Sequence, residues 1–181
     1  EFSLLLLDNE VTIVPDGIGI VKAAKILKYD VIERIPGIEI AVTLLEEGNK
    51  NKKSFYLFGA TEEVIKLMEN KIKKDYPNIK LIGTSNGYVK DKDEVFDEIS
   101  KLKPDVVLVA LGIPAQEKLI YKHLNKFTKG IFVGVGGTFD VLSGYKKRAP
   151  KLFQNLNLEW LYRIVTEPSR LKRFYNNNIK F

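Results

Sequence analysis

Short, continuous apolar runs alternate along this chain with longer segments whose apolar residues recur at helical spacing. Residues 54–58 form an aromatic and aliphatic run that ends at Gly59, the pattern of a buried strand. In residues 61–76, Val64, Ile65, Met68, Ile72 and Tyr76 fall on one helical face, with Thr61 at the start and Pro77 as the stop. Residues 80–83 read as a second strand. Residues 93–102 read as a helix with Phe96, Ile99 and Leu102 on one face. After Pro104, residues 105–111 form the clearest central strand, ending at Gly112. Residues 115–126 are helical, with Leu119, Ile120 and Leu124 inward, and residues 131–135 form a further strand that runs into Gly136-Gly137. Nearer the start, the apolar run 11–14 ends at Pro15. Asp16, Gly17 and Gly19 follow, then the helix-like stretch 21–27, which predicts a strand, a turn and a helix with Asp16 at the strand tip. Residues 152–165 carry Leu152, Phe153, Leu156, Trp160, Leu161, Ile164 and Val165 near helical spacing, a face expected to dock on the core.

Strands that are apolar throughout and alternate with helices predict an α/β fold: a Rossmann-like, mainly parallel sheet with helices on both faces. We expect this domain to cover residues 1–166, followed by a basic C-terminal helical appendage at 167–181. In such sheets ligands bind beyond the carboxyl ends of the strands. Asp16, Gly59, Gly83, Gly112 and Gly136 each follow a strand candidate, so they are expected along one edge.

Composition narrows the chemistry. The 181 residues contain no cysteine, which excludes disulfides, thiolate metal sites and a cysteine nucleophile, and a single histidine, His123, which excludes a multi-histidine metal cluster. The apolar run 4–7 is far too short to cross a bilayer, and no charged segment precedes it, so no signal peptide is expected. The net charge of +6 is unevenly placed. Residues 145–181 hold nine Lys or Arg against Glu159 and Glu167, while the preceding 144 residues hold 20 basic and 21 acidic groups. A basic end of this kind points to an anionic partner, such as a membrane surface, a nucleic acid or a diphosphate, or to a solvated basic face. Residues 169–175, basic and aromatic, read as an interfacial helix or as a plain C-terminal one.

Several side chains are candidates for chemistry. A carboxylate at Asp16, on a glycine turn, is placed to act as a general base; the alternative is a helix N-cap. Arg34, between apolar neighbours and before Pro36-Gly37, presents a planar fork suited to phosphate, or else pairs with Glu33 or Glu39. Gly136 and Gly137, following a strand, expose backbone N–H groups suited to a phosphate or sugar, and Asp140 suits a ribose or base; a tight strand-to-helix turn is the alternative. Neither glycine loop completes the dinucleotide fingerprint, and there is no P-loop. Gln116 and Glu117 lie in the first turn of a helix at the ligand edge, where Glu117 can serve simply to complement the helix dipole. Asp91-Lys92-Asp93 has the short D-x-D form used for divalent ions, but its lysines and its position at a helix start favour a cap. His123, flanked by Lys122 and Lys126, reads as a surface or boundary residue.

The ordered set Val14-Pro15-Asp16-Gly17-Ile18-Gly19, Glu33-Arg34-Ile35-Pro36-Gly37, Tyr56-Leu57-Phe58-Gly59-Ala60, Leu111-Gly112-Ile113-Pro114-Ala115-Gln116-Glu117-Lys118, Gly134-Val135-Gly136-Gly137-Thr138-Phe139-Asp140, Lys147-Arg148-Ala149-Pro150 and Leu158-Glu159-Trp160-Leu161-Tyr162-Arg163 resembles the WecG/TagA/CpsF family of bacterial glycosyltransferases. The resemblance implies an inverting, metal-independent transferase. It would move N-acetylmannosamine from a UDP-sugar to undecaprenyl-diphospho-N-acetylglucosamine, for wall teichoic acid or a related surface polysaccharide. The UDP-sugar is a substrate, and no cofactor is expected. It further implies Asp16 as the base, Arg34 stabilising charge on the departing UDP, and Gln116 positioning sugar or phosphates. Gly17, Gly59, Gly112, Gly136, Gly137, Thr138 and Asp140 would hold the nucleotide sugar. Arg170 and Arg173 would meet the acceptor diphosphate and an anionic membrane, which places the protein in the cytoplasm on the inner face of the membrane. The family's N-terminal segment, with its Thr-Pro-Asn motif, has no counterpart in these residues, so the alternative is a nucleotide-sugar-binding domain without turnover. No nucleic-acid motif accompanies the basic tail, and nucleic acid is not expected as a partner. Homo-oligomerisation is left open.

Overall fold

The computed structural model describes residues 7–30 and 33–168. By compactness the chain divides into two units, Glu1–Lys146 and Lys147–Phe181, whereas the sequence reading draws its boundary at 166/167.

The first unit is built on four strands, β1 (Ser54–Gly59), β2 (Lys80–Ser85), β3 (Val106–Ala110) and β4 (Ile131–Gly134), all parallel, in the order β2-β1-β3-β4. Helices α1 (Ile18–Ile26) and α2 (Gly37–Lys50) precede the sheet. Helices α3 (Glu62–Asp75), α4 (Lys92–Leu102) and α5 (Ala115–His123) connect the strands, α5 running into a 3-10 turn, Leu124–Lys126. A short helix, α6 (Thr138–Leu142), follows β4.

Strand residues alternate between two cores, as the pleat requires. Phe55 and Leu57 of β1 and Val106, Leu108 and Ala110 of β3 pack with Ala41 and Leu45 of α2, with Val64, Ile65, Met68 and Ile72 of α3, and with Phe139 of α6. Their neighbours Tyr56, Phe58, Val107 and Val109 face the opposite way, against Val95, Phe96 and Ile99 of α4, with Leu119 and Ile120 of α5 packed on that cluster. Both faces of β1 and β3 are therefore covered, which explains their continuous apolar runs. The sheet is Rossmann-like, as expected. β2 continues two residues beyond the expected end, so Gly83 lies inside the strand and not after it. Gly83 has a packing role instead: a Cβ there would sit against the Tyr56 ring.

The strands are pinned at their starts by Asp105. Its Oδ2 accepts from the Ser54 N–H at 2.8 Å and from the Ser54 hydroxyl at 2.7 Å, and the Asp105 N–H donates to Ser54 Oγ at 3.0 Å. These bonds hold the Asp105 carboxyl down to about 2.

The second unit contains α7 (Lys151–Asn155) and α8 (Glu159–Thr166). Phe153 meets Tyr162 with ring centroids 5.6 Å apart, and Arg148 pairs with the buried Glu159 at 3.5 Å. Leu152, Leu156, Trp160 and Val165 are exposed. No helix among the described residues is long and apolar enough to cross a membrane.

Candidate active site at the carboxyl edge of the sheet

The strand order reverses between β1 and β3, since β2 lies outside β1 and β4 outside β3. Ligand crevices of open α/β sheets form at this reversal, beyond the strand ends. The chain turns tightly there. Gly59 has φ +124° and Ala60 φ +56°. The Ala60 N–H donates to the Ala110 carbonyl at 3.0 Å, and a Cβ on Gly59 would overlap that same carbonyl. Only glycine permits this approach of β1 to β3.

Gln116, in the first turn of α5, joins the next two loops. Its side chain is 1% exposed. Its Oε1 accepts from the Gly112 N–H at 3.1 Å and from the Gly136 N–H at 3.0 Å, and its Nε2 donates to Glu117 Oε1 at 2.8 Å. Gly112 (φ +81°) follows β3 and Gly136 (φ +51°) follows β4, so one amide fixes both turns. Gly134 makes room for it, because a Cβ there would lie 2.6 Å from Gln116 Nε2. The resemblance gives Gln116 a role in positioning sugar or phosphates; the structure spends its oxygen on the two loops. Beside it, Glu117 Oε2 is buried with no hydrogen-bond partner. Read from sequence, Glu117 is a dipole partner; the signal pointing further is its place next to an amide in the first turn after Gly112.

Gly137 is the N-cap of α6, and Thr138 is buried. Asp140 lies in the first turn and pairs with Lys146 at 3.5 Å, while its carbonyl accepts from the Lys146 N–H at 2.7 Å.

Asp16 reaches the same edge by a different route. The 11–14 run forms no strand, and Ile13 and Val14 are exposed, so Asp16 does not stand at a strand tip. Among the described residues no strand pairs with it, and an apolar run becomes a strand only where a sheet edge receives its N–H and C=O groups. A turn bond from the Asp16 N–H to the Val14 carbonyl (3.1 Å) shapes the segment instead. Two bonds then tie it to the following motif: the Ile35 N–H donates to the Pro15 carbonyl at 3.0 Å, and Arg34 Nε donates to the Asp16 carbonyl. The Asp16 carboxylate lies 3.6 Å from Arg34 Nη2, with side-chain exposures of 62% and 21%. Gly17, not Asp16, is the N-cap of α1, which leaves the carboxylate outside that helix. Its Oδ2 lies near Gly37, the first residue of α2. α2 ends at Lys50, a short loop before β1 begins, so its first turn is at the carboxyl edge of the sheet. There α2 packs on α6.

The remaining candidates fall elsewhere. Asp91 Oδ1 accepts from the N–H groups of Asp93 (2.8 Å) and Glu94 (3.2 Å), capping α4. Asp93 pairs with Lys122 at 2.7 Å and with His123 Nε2 at 2.6 Å, and these bonds hold its carboxyl down to about 2, Lys122 contributing most. The D-x-D stretch is thus committed to a cap and to α5. His123 is not a surface residue: it is 2% exposed and stacks on Phe96, centroids 5.0 Å apart. Its spacing from Leu119 and Ile120 places it on their inward face. Arg170 and Arg173 lie outside the described residues.

Comparison with known proteins follows the same lines. The sequence model of the family described as Glycosyl transferase WecG/TagA/CpsF matches residues 4–181. The chain is 46% identical over 161 residues to a Bacillus subtilis (strain 168) protein named N-acetylglucosaminyldiphosphoundecaprenol N-acetyl-beta-D-mannosaminyltransferase, a match covering 89% of this chain and 63% of that protein. A Bacillus spizizenii protein of the same name is 44% identical over 161 residues, again 63% of its length. A Staphylococcus aureus (strain NCTC 8325 / PS 47) protein of that name is 40% identical over 171 residues, 94% of this chain and 67% of that protein. The chain thus spans about 63% of the length of the two Bacillus relatives. With a family match along nearly its whole length and a parallel α/β sheet carrying glycine turns after β1, β3 and β4, this chain belongs to the WecG/TagA/CpsF family of glycosyl transferases.

Proposed function

We propose that this chain is the catalytic part of an inverting, metal-independent transferase. It moves N-acetylmannosamine from UDP-N-acetylmannosamine to undecaprenyl-diphospho-N-acetylglucosamine, in wall teichoic acid or related surface polysaccharide synthesis. Relatives bearing that name support the reading. The observation that carries it is that the Gly59, Gly112 and Gly136 turns, the last two joined by Gln116, follow the strands at the edge where open α/β sheets bind ligands, with Asp16 paired to Arg34 beside Gly37.

In this mechanism Asp16 takes the proton from the acceptor sugar hydroxyl as its oxygen attacks the anomeric carbon. The bond from that carbon to the UDP oxygen breaks, a glycosidic bond forms on the opposite face, and UDP leaves with its electron pair. Arg34, 3.6 Å from Asp16, stabilises the charge on the departing diphosphate. The glycine turns let the backbone come close to the nucleotide, although the Gly112 and Gly136 N–H groups are taken by Gln116 and the Thr138 N–H by the Val135 carbonyl, so these are not the exposed donors that the sequence suggests. Independence from metal is supported by the D-x-D carboxylates being engaged by the α4 backbone, Lys122 and His123.

The acceptor lies in a lipid layer, and we assign the protein to the inner face of the cytoplasmic membrane as a peripheral protein. The exposed Leu152, Leu156, Trp160 and Val165 and the basic excess of residues 145–181 support this. The test is calorimetric titration with UDP and UDP-N-acetylmannosamine without added metal, then transfer to a lipid-diphosphate-N-acetylglucosamine analogue. Binding and product are expected, and Asp16→Asn is expected to abolish product with binding and folding retained. Turnover unchanged in Asp16→Asn would remove the base from the mechanism. Binding without product would instead identify a nucleotide-sugar-binding domain.

A further inference from the structure

The Gln116–Glu117 pair has a chemistry that the mechanism above does not use. A glutamine side chain offers one oxygen with two lone pairs and an amino group with two hydrogens. Here both lone pairs are taken, by Gly112 and Gly136, and one hydrogen goes to Glu117 Oε1. With 1% exposure, Gln116 acts inside the protein. Its bond to Glu117 fixes the orientation of the neighbouring carboxylate and leaves Oε2 as the unused atom. That oxygen is buried and has no partner, an arrangement native proteins rarely tolerate without a use for it.

We infer that Glu117 is a specificity-determining residue of the site. Its Oε2 accepts a hydrogen bond from a hydroxyl or amide N–H of the bound sugar, and Gln116 is the positioning residue that holds it. The inference rests on the nucleotide-sugar reading above. Two facts select a hydroxyl or N–H donor over the diphosphate, and the comparison of UDP with UDP-sugar separates the transferred sugar from the ribose and uracil, which also carry donors. An acceptor-only group requires a donor, and sugar hydroxyls and the N-acetyl N–H are donors. A diphosphate is acceptor-only and anionic, so a carboxylate repels it. The location agrees, since Glu117 lies in the first turn of α5, between the turns that follow β3 and β4 at the ligand edge. Oε2 is covered in the free chain, so sugar binding includes a local displacement of what covers it, while Gln116 holds Oε1.

The decisive variant is Glu117→Gln. Its remaining oxygen stays on Gln116 Nε2, which puts an amino group where Oε2 was and sets donor against donor at the sugar. Calorimetry on the whole chain with UDP and with UDP-N-acetylmannosamine separates the terms. The expected result is UDP affinity within about twofold of the unaltered chain, with affinity for the sugar nucleotide reduced about tenfold or more. Thermal midpoint and amide exchange at Gly112 and Gly136 are expected to stay unchanged. Gln116→Ala is expected to speed exchange at both glycines and to weaken UDP and UDP-sugar together, as a positioning residue should. Equal losses for both ligands in Glu117→Gln, or no loss for either, would overturn the assignment. If the unaltered chain binds neither ligand, the nucleotide-sugar reading itself falls, and this inference with it; a chain that binds both but is indifferent to Glu117→Gln loses only the latter.

Discussion

Gly59 and His123 are decided by what surrounds them. Gly59 holds a positive φ while its α-carbon lies against the Ala110 carbonyl, so a methyl group there meets backbone that cannot move aside. Gly59→Ala is expected to lower stability by about 1–3 kcal/mol, read as a lower urea midpoint; an unchanged midpoint would mean that the β1–β3 turn relaxes freely. His123 buries an imidazole against Phe96 and binds Asp93. Its replacement by alanine leaves a cavity and a carboxylate with one partner fewer, at a cost of about 2–4 kcal/mol by denaturant titration. The sequence carried the sign of this in the spacing of Leu119, Ile120 and His123, but the two flanking lysines pointed outward and masked it. Stem and head of those lysines solve the conflict: Lys122 and Lys126 reach across to Asp93 and Asp97 on α4.

Among the elements, α4 shows how a motif is settled by its neighbours. Asp91 and Asp93 have the spacing of a metal site, yet the first caps the helix and the second pairs with α5. Asp91→Ala is therefore expected to cost about 1 kcal/mol of stability, and to leave any transferase activity insensitive to chelator, as before the change. Chelator sensitivity in the unaltered chain would restore the metal reading. The strands and helices from residue 54 to residue 134 were legible because each carries its own punctuation: Thr61 and Asp91 as caps, Pro77 and Pro104 as stops, Gly59 and Gly112 as strand ends. The run 11–14 was not, because its apolar pattern matches a strand and nothing in the pattern says whether an edge is there to pair with.

In the whole molecule, Asp93 and Asp105 link its two helical and strand layers to pH. Both carboxyls sit at about 2, below the ordinary carboxylate value, so both favour the folded state above the unfolded value near 4. That contribution is expected to be lost as pH falls from about 4 to about 2. Urea midpoints followed across that range should drop, and Asp105→Asn should flatten the drop while lowering the midpoint at neutral pH. A drop of the same size in Asp105→Asn would place the acid sensitivity elsewhere. At this scale the charge asymmetry is also visible: the sheet-bearing unit is near neutral, and the basic excess belongs to residues 145–181.

By itself, the sequence determined the α/β class, the parallel sheet with helices on both faces and the glycine turns that follow β1, β3 and β4. These follow from local periodicity, capping and turn residues, and each such signal is complete within a dozen residues. Only the tertiary structure decided which carboxylate pairs with which cation, that Gln116 ties two loops together, and that Glu117 keeps one oxygen unused. Those outcomes depend on distances between segments far apart in the chain, and a hydrogen bond forms only between atoms that the fold has brought within about 3 Å.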